Sequence, residues 1–178
     1  MNSKSSSLFQ LAVVVSALGF FVDVYDLLLF GIIRKPSLAA LGLSPEQVLT
    51  EGEFIISVQM IGLLVGGILW GIIGDKKGRL KVLFGSIILY SVANILNGMI
   101  TNVFQYTILR FIAGVGLAGE LGAGITLVSE LLSKEKRGVA SALIASFGIL
   151  GAVTAFILNT WFDWRTCYYI GGGLGCYY

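Results

Sequence analysis

Five stretches of the sequence are each long and apolar enough to cross a lipid bilayer as a helix. They cover about residues 8–33, 53–73, 82–100, 103–127 and 139–160, and a membrane-spanning helix needs roughly 20 mostly apolar residues. Only 12% of the residues are charged and 56% are hydrophobic, whereas soluble domains carry about 25% charged residues. A chain of 178 residues cannot hide so much apolar surface from water, so lipid must be its solvent. The sequence therefore predicts an all-α, polytopic membrane protein.

The two ends of the chain differ from these five spans. The Ser-rich residues 1–7 predict a disordered cytoplasmic tail, and residues 8–178 form the predicted transmembrane bundle. A sixth apolar stretch covers residues 166–178, which gives only about 20 Å of helix at a rise of about 1.5 Å per residue. Because a bilayer core is about 30 Å thick, the sixth span is predicted to be incomplete, as in a fragment of a longer protein.

The basic residues between the spans indicate the orientation of the chain. If the N-terminus is cytoplasmic, the inner segments contain Lys4, Lys76, Lys77, Arg79, Lys81, Lys134, Lys136 and Arg137. The outer loops then contain only Arg34, Lys35 and Arg165. Short cytoplasmic loops carry an excess of Lys and Arg. The sequence therefore predicts a multi-pass protein of the plasma (inner) membrane with a cytoplasmic N-terminus.

The composition argues against several other classes of function. A net charge of +2 is too small to indicate a nucleic-acid partner. The chain has no His, and its two cysteines lie nine residues apart in an apolar stretch, which is the spacing of neither a zinc site nor a CxxC motif. There is no nucleophile elbow either. We therefore expect no enzyme activity, no metal site and no cofactor.

The connection between the first two spans is predicted to be the longest loop. Within it, Ser44-Pro45-Glu46-Gln47 has the pattern of a helix start, because Ser caps, Pro suits the first turn and Gln occupies the capping-box position. This pattern predicts a short surface helix that leads into span 2.

Glycine is concentrated in spans 2 and 4. Small residues at regular spacing let helix backbones approach closely in lipid, where apolar burial does not drive helices together. We interpret most of these glycines as packing positions, and in a carrier the same close packing would also have to slide. They are Gly62, Gly66, Gly67, Gly71 and Gly74, and Gly114, Gly116, Gly119, Gly122 and Gly124.

Four charged residues lie within the predicted spans: Asp23, Asp26, Arg110 and Glu120. Charges at membrane depth are costly and are functional-site hypotheses by default. The helix rise places Asp23, Asp26 and Arg110 in the same outer half of the bilayer core, and Glu120 deeper. Gln59, near the level of Arg110, is either a substrate contact or an interhelical hydrogen-bond partner.

Each of these charges has a functional and a structural interpretation. Asp23 and Asp26 project toward one side of the helix, and two close carboxylates resist simultaneous ionisation, as a proton-coupling site requires. They could equally form a buried salt bridge with Arg110. Arg110 in turn either grips an anionic substrate in a bidentate fork or is only neutralised by an aspartate. Glu120 is either a proton-coupling acid or an acid in helix packing.

The segment from Gly71 to Lys81 joins spans 2 and 3 and contains more than a basic loop requires. The positive-inside rule accounts for its lysines. It does not account for Asp75 at the membrane edge, where a carboxylate can accept bonds from helix amides or pair with cations. We interpret the segment as a conformational latch between helix pairs, formed by Gly71, Asp75, Lys76, Gly78, Arg79 and Lys81.

This segment resembles the signature loop of the major facilitator superfamily, although Leu80 occupies a usually basic position. Three other segments are similar to the same superfamily: Arg110–Gly116 at the start of span 4, Glu130 with Arg137-Gly138 near the inner ends of spans 4 and 5, and Gly19–Leu27 in span 1. The resemblance assigns Glu130 and Arg137 to the latch, and it implies that an acid at Glu120 contacts a proton or the substrate.

The resemblance implies the N-terminal six-helix half of a metabolite or sugar:proton symporter-like carrier. We expect transport of a small organic solute, with an anionic metabolite favoured, by proton-coupled symport and alternating access. The expected partners are the lipid bilayer, the solute, a proton and a missing C-terminal six-helix half. A uniporter or antiporter is one alternative, and an inactive truncated half-transporter or a membrane-embedded interaction subunit is the other.

Overall fold

The computed structural model consists, in the part of the chain that it describes, of six α-helices without strands. It describes residues 3–131 and 134–177, apart from the side chains of residues 3–12, 15, 80, 121, 123–131, 134–137 and 176–177. The helices are α1 (Ser3–Ala40), α2 (Pro45–Lys77), α3 (Arg79–Asn97), α4 (Val103–Leu131), α5 (Lys134–Trp161) and α6 (Trp164–Tyr177). The predicted all-α fold is confirmed.

The apolar surface of the bundle suits a lipid environment. Over the described residues, three helical segments are long and apolar enough to cross a membrane, Ser16–Ala40, Pro45–Lys77 and Gly138–Trp161, and Lys81–Asn97 is a shorter apolar helix. Large apolar side chains such as those of Leu64, Phe84 and Phe104 are largely exposed. In water this exposure would be a liability, whereas lipid tails solvate it.

The connection between α1 and α2 is much shorter than the sequence predicts. Helix α1 continues through Pro36 to Ala40, so the long outer loop is wrong. The side chains of Ser37 and Leu38 are buried, and this packing favours helix where the charged and Pro-containing sequence indicates a loop. At its other end α1 begins at Ser3 and so includes most of the segment predicted to be a disordered tail.

The start of α2 follows its sequence signature. The Ser44 hydroxyl accepts a hydrogen bond from the Gln47 N–H at 3.4 Å, and the Gln47 side-chain oxygen accepts one from the Ser44 N–H at 3.0 Å. The capping box is confirmed. The predicted short surface helix that leads into span 2 is the first part of one continuous helix, Pro45–Lys77.

Helix α4 is the centre of the packing, with α2 on one side and α3 on the other, while α1 packs against α5 and α6 against α3. Glycines allow the close approach of α2 and α4. A Cβ atom at Gly62 would collide with the carbonyl of Phe111, and one at Gly114 would collide with the carbonyl of Gln59. The interpretation of these two glycines as packing positions is confirmed.

Candidate functional site

A fully buried ion pair joins α1 to α4. The Arg110 guanidinium donates from Nη1 to Oδ1 of Asp26 at 3.0 Å and from Nη2 to Oδ2 at 2.8 Å, and both side chains are 0% exposed. Two parallel charge-assisted bonds fix the relative geometry of the two groups. The salt bridge that the sequence left as an alternative therefore forms, and its acid is Asp26.

Two amide side chains also contact this pair. Gln59 on α2 donates from Nε2 to Oδ2 of Asp26 at 3.4 Å, and Arg110 Nη1 donates to Oδ1 of Asn94 on α3 at 3.5 Å. Gln59 thus lies at the level of Arg110, as the helix rise indicated, but its contact is with the carboxylate. Side chains from four helices, α1 to α4, meet at this point.

Two aromatic rings also lie against the guanidinium. The Arg110 Cζ atom lies 4.8 Å from the centre of the Phe30 ring and 5.7 Å from that of Tyr168, both within the range of cation–π attraction. Neither ring is among the site residues that the sequence predicts. Phe30 could have been found, because it stands one turn after Asp26, but Tyr168 comes from α6 and no local pattern connects it to Arg110.

Asp23 and Glu120 form a second group of buried acids. Their side chains are 1% and 3% exposed, and neither carboxylate has a hydrogen-bond partner within the described part of the chain. Asp23 interacts electrostatically with Glu120 and with Asp26. The two aspartates of α1 therefore have different surroundings, since Asp26 is paired with a cation and Asp23 lies among acids.

The polar groups of this site are carboxylates, amides, hydroxyls and one guanidinium. Among the residues whose positions are described, no group of three His, Cys, Asp or Glu side chains could hold a metal ion. In this arrangement Arg110 already holds one carboxylate, that of Asp26, and three buried acids, Asp23, Asp26 and Glu120, lie in the bundle.

The predicted latch lies at helix ends and not in an extended loop. Helix α2 runs to Lys77 and α3 starts at Arg79, so the turn is Gly78 alone, with a φ of 92° that disfavours other residues. Arg79 Nη2 contacts Asp75 Oδ1 at 3.0 Å, which identifies the cation that pairs with this acid.

The other latch residues are less constrained or not described. Lys76 and Lys81 are exposed, and Gly71 is half-buried, with open space where a Cβ atom would lie. The side chains of Glu130 and Arg137 lie outside the described residues.

Comparison with known proteins places this geometry in context. The family model described as Major Facilitator Superfamily matches residues 7–176. A Bacillus subtilis protein named for niacin and nicotinamide transport is 34% identical over 82% of the chain and 35% of the relative. The benzoate transport protein of Acinetobacter baylyi is 30% identical over 96% of the chain and 38% of the relative. The chain thus spans less than half the length of these relatives.

The fold also matches that of part of a solved transporter. The proton:xylose symporter XylE bound to 6-bromo-6-deoxy-D-glucose superposes with a TM-score of 0.83 at 18% identity, covering 97% of this chain and 44% of that chain. At this identity the match concerns the fold alone.

Proposed function

Because the chain belongs to the major facilitator superfamily, whose members are integral membrane transporters, we propose that it is the N-terminal half of a carrier for a small organic anion. The carrier would take up this anion together with a proton. The missing C-terminal six-helix half would supply the opposite wall of the transport path, and the two halves would rock about the site between them.

The buried Asp26–Arg110 pair is the observation that carries this proposal. A permanently charged guanidinium that holds one carboxylate in a bidentate fork has the geometry to hold another. Niacin and benzoate, after which two relatives are named, are both carboxylates at neutral pH. We assign Arg110 as the substrate-binding cation and Gln59 as a further substrate contact beside it.

Proton coupling follows if the substrate and Asp26 compete for Arg110. A proton on Asp26 removes the charge that neutralises Arg110, and the guanidinium is then free to bind an anion. Because burial of an unpaired cation is strongly unfavourable, protonation of Asp26 would raise the affinity of the carrier for an anionic substrate. Release of the proton would restore the pair and expel the anion.

Asp23 and Glu120 support the same assignment from a second direction. A charged carboxylate without a partner is costly to bury, whereas a protonated one carries no net charge. We assign both as proton-coupling acids that pass or hold the proton near Asp26. The alternative is that both acids serve only in helix packing. The neutral variants Asp23→Asn and Glu120→Gln distinguish the two roles, because they should abolish proton-coupled uptake only if the acids carry protons.

The Asp75–Arg79 pair and the turn at Gly78 support a latch at the C-terminal end of α2, opposite the turn at residues 41–44 that precedes this helix. We assign Gly71, Lys76 and Lys81, together with Glu130 and Arg137, to the same latch, which would close against the second half. The charge distribution between the spans supports a cytoplasmic N-terminus and a location in the plasma (inner) membrane.

Uptake by the complete carrier tests the assignment. Asp26→Asn or Arg110→Ala should abolish accumulation of nicotinate or benzoate, or of whichever organic acid the unchanged carrier takes up, while membrane insertion is retained. Ser57→Ala is the control, because the Ser57 side chain is exposed and, within the described part of the chain, its hydroxyl donates to the Glu53 carbonyl of its own helix. Unchanged uptake in either variant would overturn the role of the pair.

A further inference from the structure

We propose that Phe30 and Tyr168 are positioning residues that keep the Arg110 guanidinium in place when Asp26 is neutral. The two rings, which we call the aromatic clamp, lie 4.8 and 5.7 Å from the guanidinium carbon and come from α1 and α6. The functional consequence rests on the proposed role of Arg110 as the anion site, but the positioning itself does not.

The clamp is built so that its rings cannot easily turn away. The Tyr168 hydroxyl lies 2.6 Å from the Tyr106 hydroxyl, which lies 3.2 Å from the hydroxyl of Ser37. Tyr106 also packs edge-on against both clamp rings, with ring centres 5.4 Å from Phe30 and 6.0 Å from Tyr168. All of these side chains except Phe30, at 1%, are 0% exposed.

The clamp and the ion pair respond differently to protonation. A proton on Asp26 removes most of its attraction for Arg110, whereas the negative face of an aromatic ring is independent of that proton. Cation–π attraction is also strongest for a desolvated cation, and Arg110 is fully buried. Arg110 keeps the clamp and its contact with Asn94 when Asp26 is neutral, so its Nη1 and Nη2 groups remain aimed at the same position.

The consequence concerns binding of the anion. A guanidinium that stays immobile presents a preformed fork, and the substrate carboxylate then pays little entropy to order it. Without the clamp, the free arginine would move toward water or other acceptors as soon as Asp26 was protonated. The clamp therefore makes the exchange of one carboxylate for another possible at a fixed place.

NMR of the 178-residue chain in lipid nanodiscs tests this directly, with Asp26→Asn as the mimic of the neutral acid. The chain has five arginines, so the Arg110 Nε–H signal is assignable by Arg110→Lys. In the Asp26→Asn chain we expect Arg110 to stay as immobile as in the unchanged chain. A trifluorinated phenylalanine in place of Phe30 keeps the ring shape but removes the negative face, and it should speed guanidinium rotation roughly tenfold in this background.

Two controls make the outcome specific. The same fluorinated residue in place of Phe21, which packs in a different cluster, should leave Arg110 immobile, and Phe30→Tyr, which retains the negative face, should do the same. The proposal is overturned if Arg110 becomes mobile in Asp26→Asn alone, or stays immobile when the Phe30 ring is fluorinated. Transport plays no part in this readout, so a failure of the proposed function would appear separately, as unchanged uptake in Arg110→Ala.

Discussion

Removal of Asp26 from the buried ion pair should destabilise the bundle far more than removal of an acid from an exposed one. Asp26→Ala leaves the Arg110 guanidinium without the two bonds of 2.8 and 3.0 Å in a site that is 0% exposed. Breaking a buried pair in this way costs about 3–5 kcal/mol. The two aromatic contacts with Arg110 are present before and after the substitution, so they cancel in the difference and the expected loss stays at about 3–5 kcal/mol.

The chain provides a matched control for this experiment. Asp75 and Arg79 are also 3.0 Å apart, but their side chains are 70% and 34% exposed, and exposed pairs contribute only about 0.2–1 kcal/mol. Equilibrium unfolding of the purified chain in mixed micelles gives both free energies under one condition. Equal losses in Asp26→Ala and Asp75→Ala would refute the reasoning, because the Asp26 pair is fully buried and has two bonds, whereas the Asp75 pair is exposed and has one contact.

Three further predictions concern packing, capping and orientation. Gly62→Ala should lower the free energy of unfolding by about 1–3 kcal/mol, because the new methyl group collides with the Phe111 carbonyl. Gly67→Ala should be tolerated, because a Cβ atom there has nothing within 4 Å. Thermal unfolding compares the two variants, and similar losses of stability would contradict the close packing of α2 and α4. Ser44→Ala should cost about 1 kcal/mol by loss of the cap, measured by the same unfolding assay, and no loss would contradict the capping box. Lys77→Cys and Thr101→Cys, each in a chain without its native cysteines, should react differently with an impermeant maleimide in intact cells. With a cytoplasmic N-terminus, the reagent should label only position 101. Labelling of position 77 alone would show the opposite orientation.

The sequence predicts the depth of each charged residue in the membrane better than the side of the helix on which its side chain lies. Counting the helix rise along two spans places Asp26 and Arg110 together, and they do form a pair. It does not distinguish Asp26 from Asp23, because residues three apart differ by only about 60° around the helix. Rotation of α1 against its neighbours decides which acid meets the guanidinium, and that rotation depends on contacts distant in sequence.

Other features of the structure could not be predicted from the sequence, because they also depend on contacts between residues distant in the chain. The pairing of Tyr168 with Arg110 depends on how α6 docks against α1 and α4, and nothing in the local pattern of either residue indicates it. The boundary of α1 was misplaced because Pro36 and two basic residues have the composition of a loop, while the burial of Ser37 and Leu38 outweighs it. The capping box at Ser44 was predictable because all of its contacts are local.

Proton movement during uptake is the most direct test of proton-coupled anion transport by the complete carrier. Nicotinate or benzoate, whichever the carrier accumulates, is added to a lightly buffered suspension of de-energised cells that produce the carrier. The pH of the medium and the concentration of the anion in the medium are recorded together. The account predicts that the medium becomes more alkaline as the anion enters, and that Asp26→Asn removes both signals. Uptake without alkalinisation, or with acidification, would contradict it.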